Sequence, residues 1–419
     1  MFFDTGEKVE CFGCEACVQI CSKSAIQMQE DDEGFRYPVI DLNKCIHCGL
    51  CRQICPYEHV PEKHEIDKYA FGGYNLNHEV RFESTSGGAF SAIVDAFCDE
   101  NYVIFGAEAK GLQVFHSYIT DKNELWKFRK SKYSQSIIGS SYKQVRQFLK
   151  EGKKVLFSGT PCQVAGLLSF LKNTNRDNLL TVEVVCEGVP SPLYVRKLNR
   201  HIEKKYGAPI EAIDYRYTGK SVFSNGKWDF QAMLLKIFGG AGRWDFEVMR
   251  IMLMNKEKVL VKDRWFNPFW YIWLDHLMSR PSCYHCKFTT TGRVADITLG
   301  DLWGVHLYCP ELYGENGGSS LVVCNTEKGK QVFQKAQKQM YGHELVFEEA
   351  LKYQSPMRKT ISINPNRYVF MEDLKSSMDY TELNRKWSRG PTLKLLFQKY
   401  IWGNRQKIFF WNLKRKLFR

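Results

Sequence analysis

The cysteines carry the chemistry that this sequence can do. Cys11, Cys14, Cys17 and Cys21 are spaced C-x2-C-x2-C-x3-C, and Cys45, Cys48, Cys51 and Cys55 repeat that spacing, with Pro56 directly after. Three thiolates on one tight loop can cap three irons of a single cubane, while the fourth, launched from the following turn, points away to the other cluster. The spacing therefore predicts two [4Fe-4S] clusters, one on Cys11, Cys14, Cys17 and Cys55 and one on Cys45, Cys48, Cys51 and Cys21. Zinc is the competing occupant. Tetrahedral zinc sites pair two C-x2-C units and have no use for a third cysteine at the same step. The first repeat has Ser22 where the second has Pro56, a change in turn rigidity rather than in ligation, because proline offers no ligand atom and only fixes φ.

Seven of the fifteen cysteines remain. An odd total in a long chain without an export signal argues against a disulfide framework and for metal or redox chemistry. Cys98 sits mid-helix among apolar residues and Cys324 ends an apolar strand, so both read as small core residues. Cys309, beside Pro310, is ambiguous. Cys283 and Cys286 form a C-x2-C ligand hairpin, and Cys162 and Cys186 each follow an apolar run of strand length. Those four could close a third site, with a zinc hairpin or plain buried thiols as equal alternatives to iron and sulfur.

These residues need elements to hold them. The chain has 419 residues, 44% hydrophobic and 25% charged, the balance of a folded protein with two or three domains. No apolar run approaches 18 residues, and Met1-Phe2-Phe3-Asp4 lacks the basic flank of a secretory signal, so a cytoplasmic chain that does not span a membrane is expected. Ala25 to Asp41 reads as a hairpin returning the chain to the second cysteine loop, and the first module ends near Pro61. From Tyr69 an α/β rhythm begins. Strands are expected at Tyr102–Phe105, Val155–Phe157, Leu179–Val185, Ile297–Leu299 and Leu321–Cys324, and helices at Ala89–Glu100, Ser141–Glu151, Pro192–Tyr206 and Lys328–Met340. The fold class is α+β: a two-cluster ferredoxin fold, an α/β domain with a mixed or mostly parallel sheet, and a helical basic C-terminal tail. No G-x-G-x-x-G follows a strand, so a Rossmann site is not indicated. Ser84-Thr85-Ser86-Gly87-Gly88, Ser158 to Cys162 and Gly300 to Gly304 are turns at strand ends or helix starts, where such sheets bind ligands.

Six motifs occur in a telling order: Ser86-Gly87-Gly88-Ala89-Phe90-Ser91, Lys132-Tyr133-Ser134-Gln135-Ser136, Gly159-Thr160-Pro161-Cys162-Gln163, Cys186-Glu187-Gly188-Val189-Pro190-Ser191, Cys283-Tyr284-His285-Cys286 and Ala295-Asp296-Ile297-Thr298 to Gly304. Over residues 1 to 345 the chain resembles the beta subunit family of coenzyme F420 hydrogenase and dehydrogenase, in its form with an N-terminal bacterial-type ferredoxin domain. The resemblance implies a ferredoxin domain at 1–61, an FAD and iron–sulfur domain at 69–345, and an extension at 346–419. It implies FAD held by Ser86, Gly87, Gly88, Lys132, Tyr133, Gln135 and Ser136, and a third [4Fe-4S] cluster on Cys162, Cys186, Cys283 and Cys286. Glu187 stands where the family often has His and is left out of the site; Asp301 and Trp303 read as turn packing or as a direct contact. Implied too is a flavin and iron–sulfur oxidoreductase that exchanges electrons between one-electron carriers and a hydride-carrying small molecule: F420, NAD(P)H or an organic substrate. The residues that do the chemistry are not identified. The alternative is a non-enzymatic ferredoxin-type electron-transfer subunit serving a partner enzyme, linked to surface polysaccharide synthesis as some relatives are. The expected partner is a redox protein or ferredoxin.

The formal charge is +13, and from Arg385 to Arg419 there are eleven Lys or Arg and no Asp or Glu. Three cubanes at about −2 each would leave about +7, which weakens any nucleic-acid role. In the tail, Phe409, Phe410, Leu413 and Leu417 can share a helix face flanked by basic residues. Such a helix suits the inner surface of a membrane, or docking on a partner or on its own domain.

Overall fold

The structure is a computed structural model and describes residues 1–65, 68–217, 247–255, 259–313 and 317–417. Its first module is built around the two cysteine loops. In each, the residues flanking the middle cysteine take left-handed backbone: Gly13 (φ 67°) and Glu15 (φ 59°) around Cys14, His47 (φ 53°) and Gly49 (φ 72°) around Cys48. Two reversals so close together curl a loop tightly enough for three cysteines to address one centre. A short helix follows each loop, α1 (Ala16–Ile20) and α2 (Leu50–Gln53). Between them β1 (Ile26–Glu30) pairs antiparallel with β2 (Arg36–Ile40), Ile26 opposite Ile40, as the expected hairpin. Asp31 Oδ1 holds the turn by accepting from the backbone N–H groups of Glu33 and Phe35.

The strands that follow are β3 (Tyr69–Asn75), β4 (Tyr102–Lys110), β5 (Gln113–Ile119), β6 (Lys154–Gly159), β7 (Leu179–Val184), β8 (Ile210–Asp214), β9 (Met249–Leu253), β10 (Val259–Lys262), β11 (Ile297–Asp301), β12 (Ser320–Cys324) and β13 (Met340–Leu345). Eight form one mixed sheet in the order β13-β3-β12-β11-β7-β6-β4-β5, and β8, β9 and β10 form a separate antiparallel meander. The centre of the large sheet, β4, β6, β7 and β11, is parallel. The strands outside it pair antiparallel. Val155, Leu156 and Phe157 of β6 are all buried, the unbroken apolar run of a strand covered on both faces.

Helices α3 (Ala89–Phe97), α4 (Ser141–Lys150), α5 (Pro161–Phe170), α6 (Pro192–Tyr206), α7 (Pro268–Leu274), α8 (Glu327–Ala336), α9 (Arg367–Lys375), α10 (Tyr380–Trp387) and α11 (Asn404–Leu417) complete the frame. Apolar residues of α4 and α5 cover one face of the sheet, with Val103, Phe105, Val155 and Phe157. On the other face α3 and α8 pack over Ile104, Leu156 and Leu180. The ferredoxin module has no separate core: Phe12, Ala16 and Ile54 join Tyr142, Leu167 and Phe288 in the first of these clusters. The segment after β13 is not a mere extension, because Phe370, Met371, Leu374 and Leu383 are buried with Tyr194, Leu198 and Trp270.

Each expected strand and helix lies within or across an observed one, with two adjustments. The helix expected over Ala89–Glu100 ends at Phe97, so Cys98 is its C-cap residue and does not sit mid-helix. The helix expected over Lys328–Met340 ends at Ala336, and Met340 begins β13. Sequence reading missed β3, β5 and β13 of the large sheet and all three strands of the meander, β8, β9 and β10. β3 carries Gly72 and Gly73, and β13 carries Gly342, His343 and Glu344, so neither shows an apolar alternation.

Candidate iron–sulfur site

Parallel pairing brings the C-terminal ends of β6 and β7 side by side, and the chain leaves both toward the same edge, where open α/β sheets bind ligands. After β6, Thr160 caps α5 in a capping box with Gln163, Pro161 starts the helix, and Cys162 sits in its first turn. Cys186 comes two residues after β7. Cys283 and Cys286 arrive from elsewhere, on a short 3-10 turn at Pro281–His285. That turn is registered by a bridge between Pro190 and Ser279 and by Arg280 N–H, which donates to Val189 O at 2.9 Å. All four cysteines line one cavity of about 230 Å³.

The thiols fit iron better than a single ion. Burial, then the neighbouring Cys286 and Cys162 sulfurs, push the Cys283 thiol up to about 12. Cys186 is held well above its ordinary value, by burial and then by Cys283 and Cys162. Burial raises Cys162 to about 11 despite a hydrogen bond with Thr160 Oγ1 at 3.2 Å. Such thiols stay protonated until a cation replaces the proton. Among the described residues, only one group of three ligating side chains has its donor atoms within 4.8 Å of one another, and it contains none of the predicted cluster cysteines. A tetrahedral zinc ion would gather its sulfurs to about 3.8 Å from each other. The wider spread suits a multi-iron cluster.

The ferredoxin cysteines neighbour one another across the two repeats. The sulfurs that act electrostatically on Cys14 include Cys55 and Cys11, those acting on Cys17 are Cys14, Cys11, Cys55 and Cys51, and those acting on Cys51 are Cys48 and Cys45. Amide N–H groups of Gly13 and Ala25 lie 3.4 Å and 3.3 Å from the sulfurs of Cys11 and Cys21, the contacts by which a protein tunes cluster potential. Cys48 is exposed, whereas Cys14 is buried.

The two thiol centres abut. A side chain added at Gly166 would place its Cβ 3.1 Å from Cys14 Cβ and 3.2 Å from Cys14 Sγ. Gly166 lies one helical turn beyond Cys162 on the same face of α5. The missing side chain therefore lets the first ferredoxin loop rest against the helix that carries Cys162. Arg280, fully buried, locks the arrangement: Nε donates to Cys11 O at 3.0 Å, Nη2 to Arg36 O at 3.1 Å and Nη1 to Gln135 Oε1 at 3.1 Å. Sequence reading missed Arg280, since a single arginine before a cysteine hairpin carries no pattern.

The residues that the resemblance assigned to FAD fare differently. Ser86 Oγ donates to Ser319 O, Gly87 N–H donates to Ser320 Oγ, and a Cβ at Gly87 would meet Gly73 O at 2.4 Å, so that turn is spent on packing against β3 and β12. Gly88, at φ 80°, precedes α3, and its carbonyl accepts from Asn75. Gln135 Nε2 donates to Phe12 O at 2.7 Å and so holds the first ferredoxin loop. Ser136 belongs to a buried network with His116 Nδ1 and Gln163 Nε2, both at 2.9 Å. Tyr133 packs edge-on to Trp270 and Trp273. Lys132 Nζ donates to Lys127 O and Arg129 O, and burial lowers its pKa to about 7. Of the seven, only Gln135 lines the cavity over the four cysteines. Glu187, set aside on sequence, does line it. Asp301 forms a buried ion pair with Arg216, and Trp303 lies under the same guanidinium, 5.2 Å away.

Comparison with known proteins places this geometry. Residues 152–346 match the family model for the C terminus of the coenzyme F420 hydrogenase/dehydrogenase beta subunit. Residues 10–59 match a 4Fe-4S dicluster domain. A beta-subunit domain thus follows a dicluster domain, and the chain is an iron–sulfur electron-transfer protein related to the F420 hydrogenase beta subunit. No curated protein matches it. Among solved structures, the chain is similar to one from the xenon-derivatised F420-reducing [NiFe] hydrogenase complex of Methanosarcina barkeri. That match has 15% identity and a TM-score of 0.42, over 78% of this chain and 93% of that one. Cys162, Cys186, Cys283 and Cys286 all lie inside the segment that matches the beta-subunit family.

Proposed function

We propose that the chain is an oxidoreductase subunit that relays electrons between a hydride-exchanging partner and a one-electron carrier, with a third [4Fe-4S] cluster on Cys162, Cys186, Cys283 and Cys286. The observation that carries this reading is the contact of Cys14 with Gly166 on the Cys162 helix. When bound, the clusters supply single-electron steps. The chain's own part is to hold the centres in line and keep water out. Gly166 allows the close approach, Arg280 and Gln135 fix the first loop, and Phe12 borders both the four-cysteine cavity and the first ferredoxin pocket. The exposed Cys48, with exposed Leu42, Ile46 and Leu50 around it, gives the outer ferredoxin loop a surface on which a carrier protein can dock.

The family implies FAD, which converts hydride to single electrons when bound. As a set, the seven residues assigned to it do not fit: the polar groups of Ser86, Gly87, Gln135 and Ser136 are engaged by protein. Lys132 Nζ is engaged in the same way by Lys127 O and Arg129 O, and the Tyr133 ring packs on Trp270 and Trp273. The same observation favours a second reading, an electron-transfer subunit without hydride chemistry that serves a partner enzyme. The experiment is flavin and iron per chain on protein purified without oxygen, then mixing with reduced F420, NADH or NADPH while following bleaching of the iron–sulfur absorption. About one FAD and bleaching by a hydride donor support the oxidoreductase; iron without flavin, bleached only by one-electron reductants, supports the second reading.

The free thiols suit a reducing compartment such as the cytoplasm. Among the described residues no helix is long and apolar enough to cross a membrane. Helix α11 rests on the domain through Ile408 and leaves Phe409, Phe410, Leu413 and Leu417 exposed. With the tail's excess of Lys and Arg, this arc suits an anionic bilayer surface.

A further inference from the structure

Two of the three cysteines outside the cluster sets, Cys98 and Cys324, are buried among apolar side chains. Cys309 is equally buried at 2% exposure, yet its sulfur faces two other ligating groups. Its Sγ lies 3.0 Å from His343 Nε2 and 3.3 Å from Glu311 Oε1, and those two atoms are 3.4 Å apart. Sulfur, nitrogen and oxygen thus form a nearly equilateral triangle. Zinc bound to sulfur at about 2.3 Å and to nitrogen and oxygen at about 2.0–2.2 Å would hold such donors about 3.4–3.6 Å apart. The triangle closes on that face of a tetrahedron to within about half an ångström.

The fold builds this convergence from distant segments. Cys309 directly precedes the short turn at Pro310–Leu312, Glu311 lies within it, and His343 lies on edge strand β13, opposite Gly72 of β3. A side chain at Gly72 would meet Leu345 Cδ1 at 2.7 Å, Leu302 Cδ2 at 2.9 Å and Leu312 Cδ1 at 3.2 Å. Its absence lets Leu312 settle over β3 and carries Cys309 across to β13. At the next pair along these strands, Gly73 and Gly342 pack backbone to backbone, with a Cβ on Gly342 only 2.1 Å from Gly72 O. Both Glu311 (53% exposed) and His343 (47% exposed) reach solvent, so the fourth corner is open to water while the sulfur is sheltered.

We propose that Cys309, Glu311 and His343 form a mononuclear site for a divalent cation of zinc's type, with three protein ligands and one solvent ligand, clipping the Pro310–Leu312 turn to edge strand β13. One ion accepts a lone pair from each of three groups that otherwise share few protons among them. The site is separate from the cluster cysteines, whose sulfurs are spread more widely.

The test uses the full chain with its iron–sulfur clusters intact, dialysed without oxygen against zinc, with zinc and iron then measured in the same sample. The site predicts one zinc per chain in the wild type. His343→Ala and Glu311→Gln, both at half-exposed positions, should weaken zinc affinity more than about tenfold with iron per chain unchanged. The zinc X-ray absorption edge should report one sulfur at about 2.3 Å with the remaining ligands nitrogen or oxygen. No bound zinc, or zinc retained equally in both variants, overturns the proposal. So does zinc ligated by three or four sulfurs, which would place it in vacated cluster sites.

Discussion

Arg280→Met keeps the aliphatic stem and removes the guanidinium that joins the ferredoxin module to the cysteine cavity. Three hydrogen bonds disappear, to Cys11 O, Arg36 O and Gln135 Oε1, together with a cation–π contact 4.3 Å above the Tyr37 ring. Their acceptors are part-buried. Hydrogen bonds to a charged donor contribute about 1.5–3 kcal/mol each, and the losses are not additive within one network, so the module's docking should weaken by about 3–5 kcal/mol. At about 1.4 kcal/mol per factor of ten, protected amides of β1 and β2 should exchange between a hundredfold and several thousandfold faster, read by hydrogen exchange on the cluster-loaded protein. Arg196→Ala is the control. It removes an exposed ion pair to Glu30 across the same interface, worth less than about 1 kcal/mol, and should accelerate exchange no more than about fivefold. Equal exchange in the two variants would refute the assignment of Arg280 as the lock.

Gly166→Val should drive a side chain into Cys14, lowering iron per chain by about 4 and costing several kcal/mol through overpacking; a variant with full iron and unchanged unfolding would contradict the close approach. Burial holds His116 at a pKa of about 4, with its Nε2–H donating to Ser158 O at 2.9 Å. The folded state then binds fewer protons than the unfolded one between pH 4 and 6.5, so stability falls as pH drops through that window, by about 2 kcal/mol at pH 5. Denaturant titrations at pH 7 and 5 should show that fall in the wild type and a smaller one in His116→Asn. Vesicles containing phosphatidylglycerol should sediment the chain and neutral phosphatidylcholine vesicles should not, with Phe409→Glu/Phe410→Glu abolishing binding; equal binding to both vesicle types would exclude the anionic-surface reading of the tail.

Much of this was legible because cysteine spacing is local. The x2 steps fix loop geometry over a dozen residues, and the structure gives both loops the same left-handed pair around the middle cysteine, although Glu15 and His47 carry no glycine signal for it. The strand endings that bring Cys162 and Cys186 to one edge were likewise readable, as apolar runs of strand length. What could not be read depends on contacts between segments far apart in sequence. Gly87 reads the same whether it makes room for a phosphate or for β12, and only packing shows that Gly73 and Ser320 occupy the space. Arg280, the shared core around Phe12, and the meeting of Cys309 with His343 across Gly72 follow from tertiary approach, which no periodicity records.

The central claim is that Cys162, Cys186, Cys283 and Cys286 hold a third cluster beside the ferredoxin pair. The direct measurement is iron per chain in wild type and in Cys162→Ser/Cys283→Ser, both purified and reconstituted without oxygen. The account predicts about 12 Fe in the wild type and about 8 in the variant, with the ferredoxin clusters retained. About 8 Fe in both would contradict it.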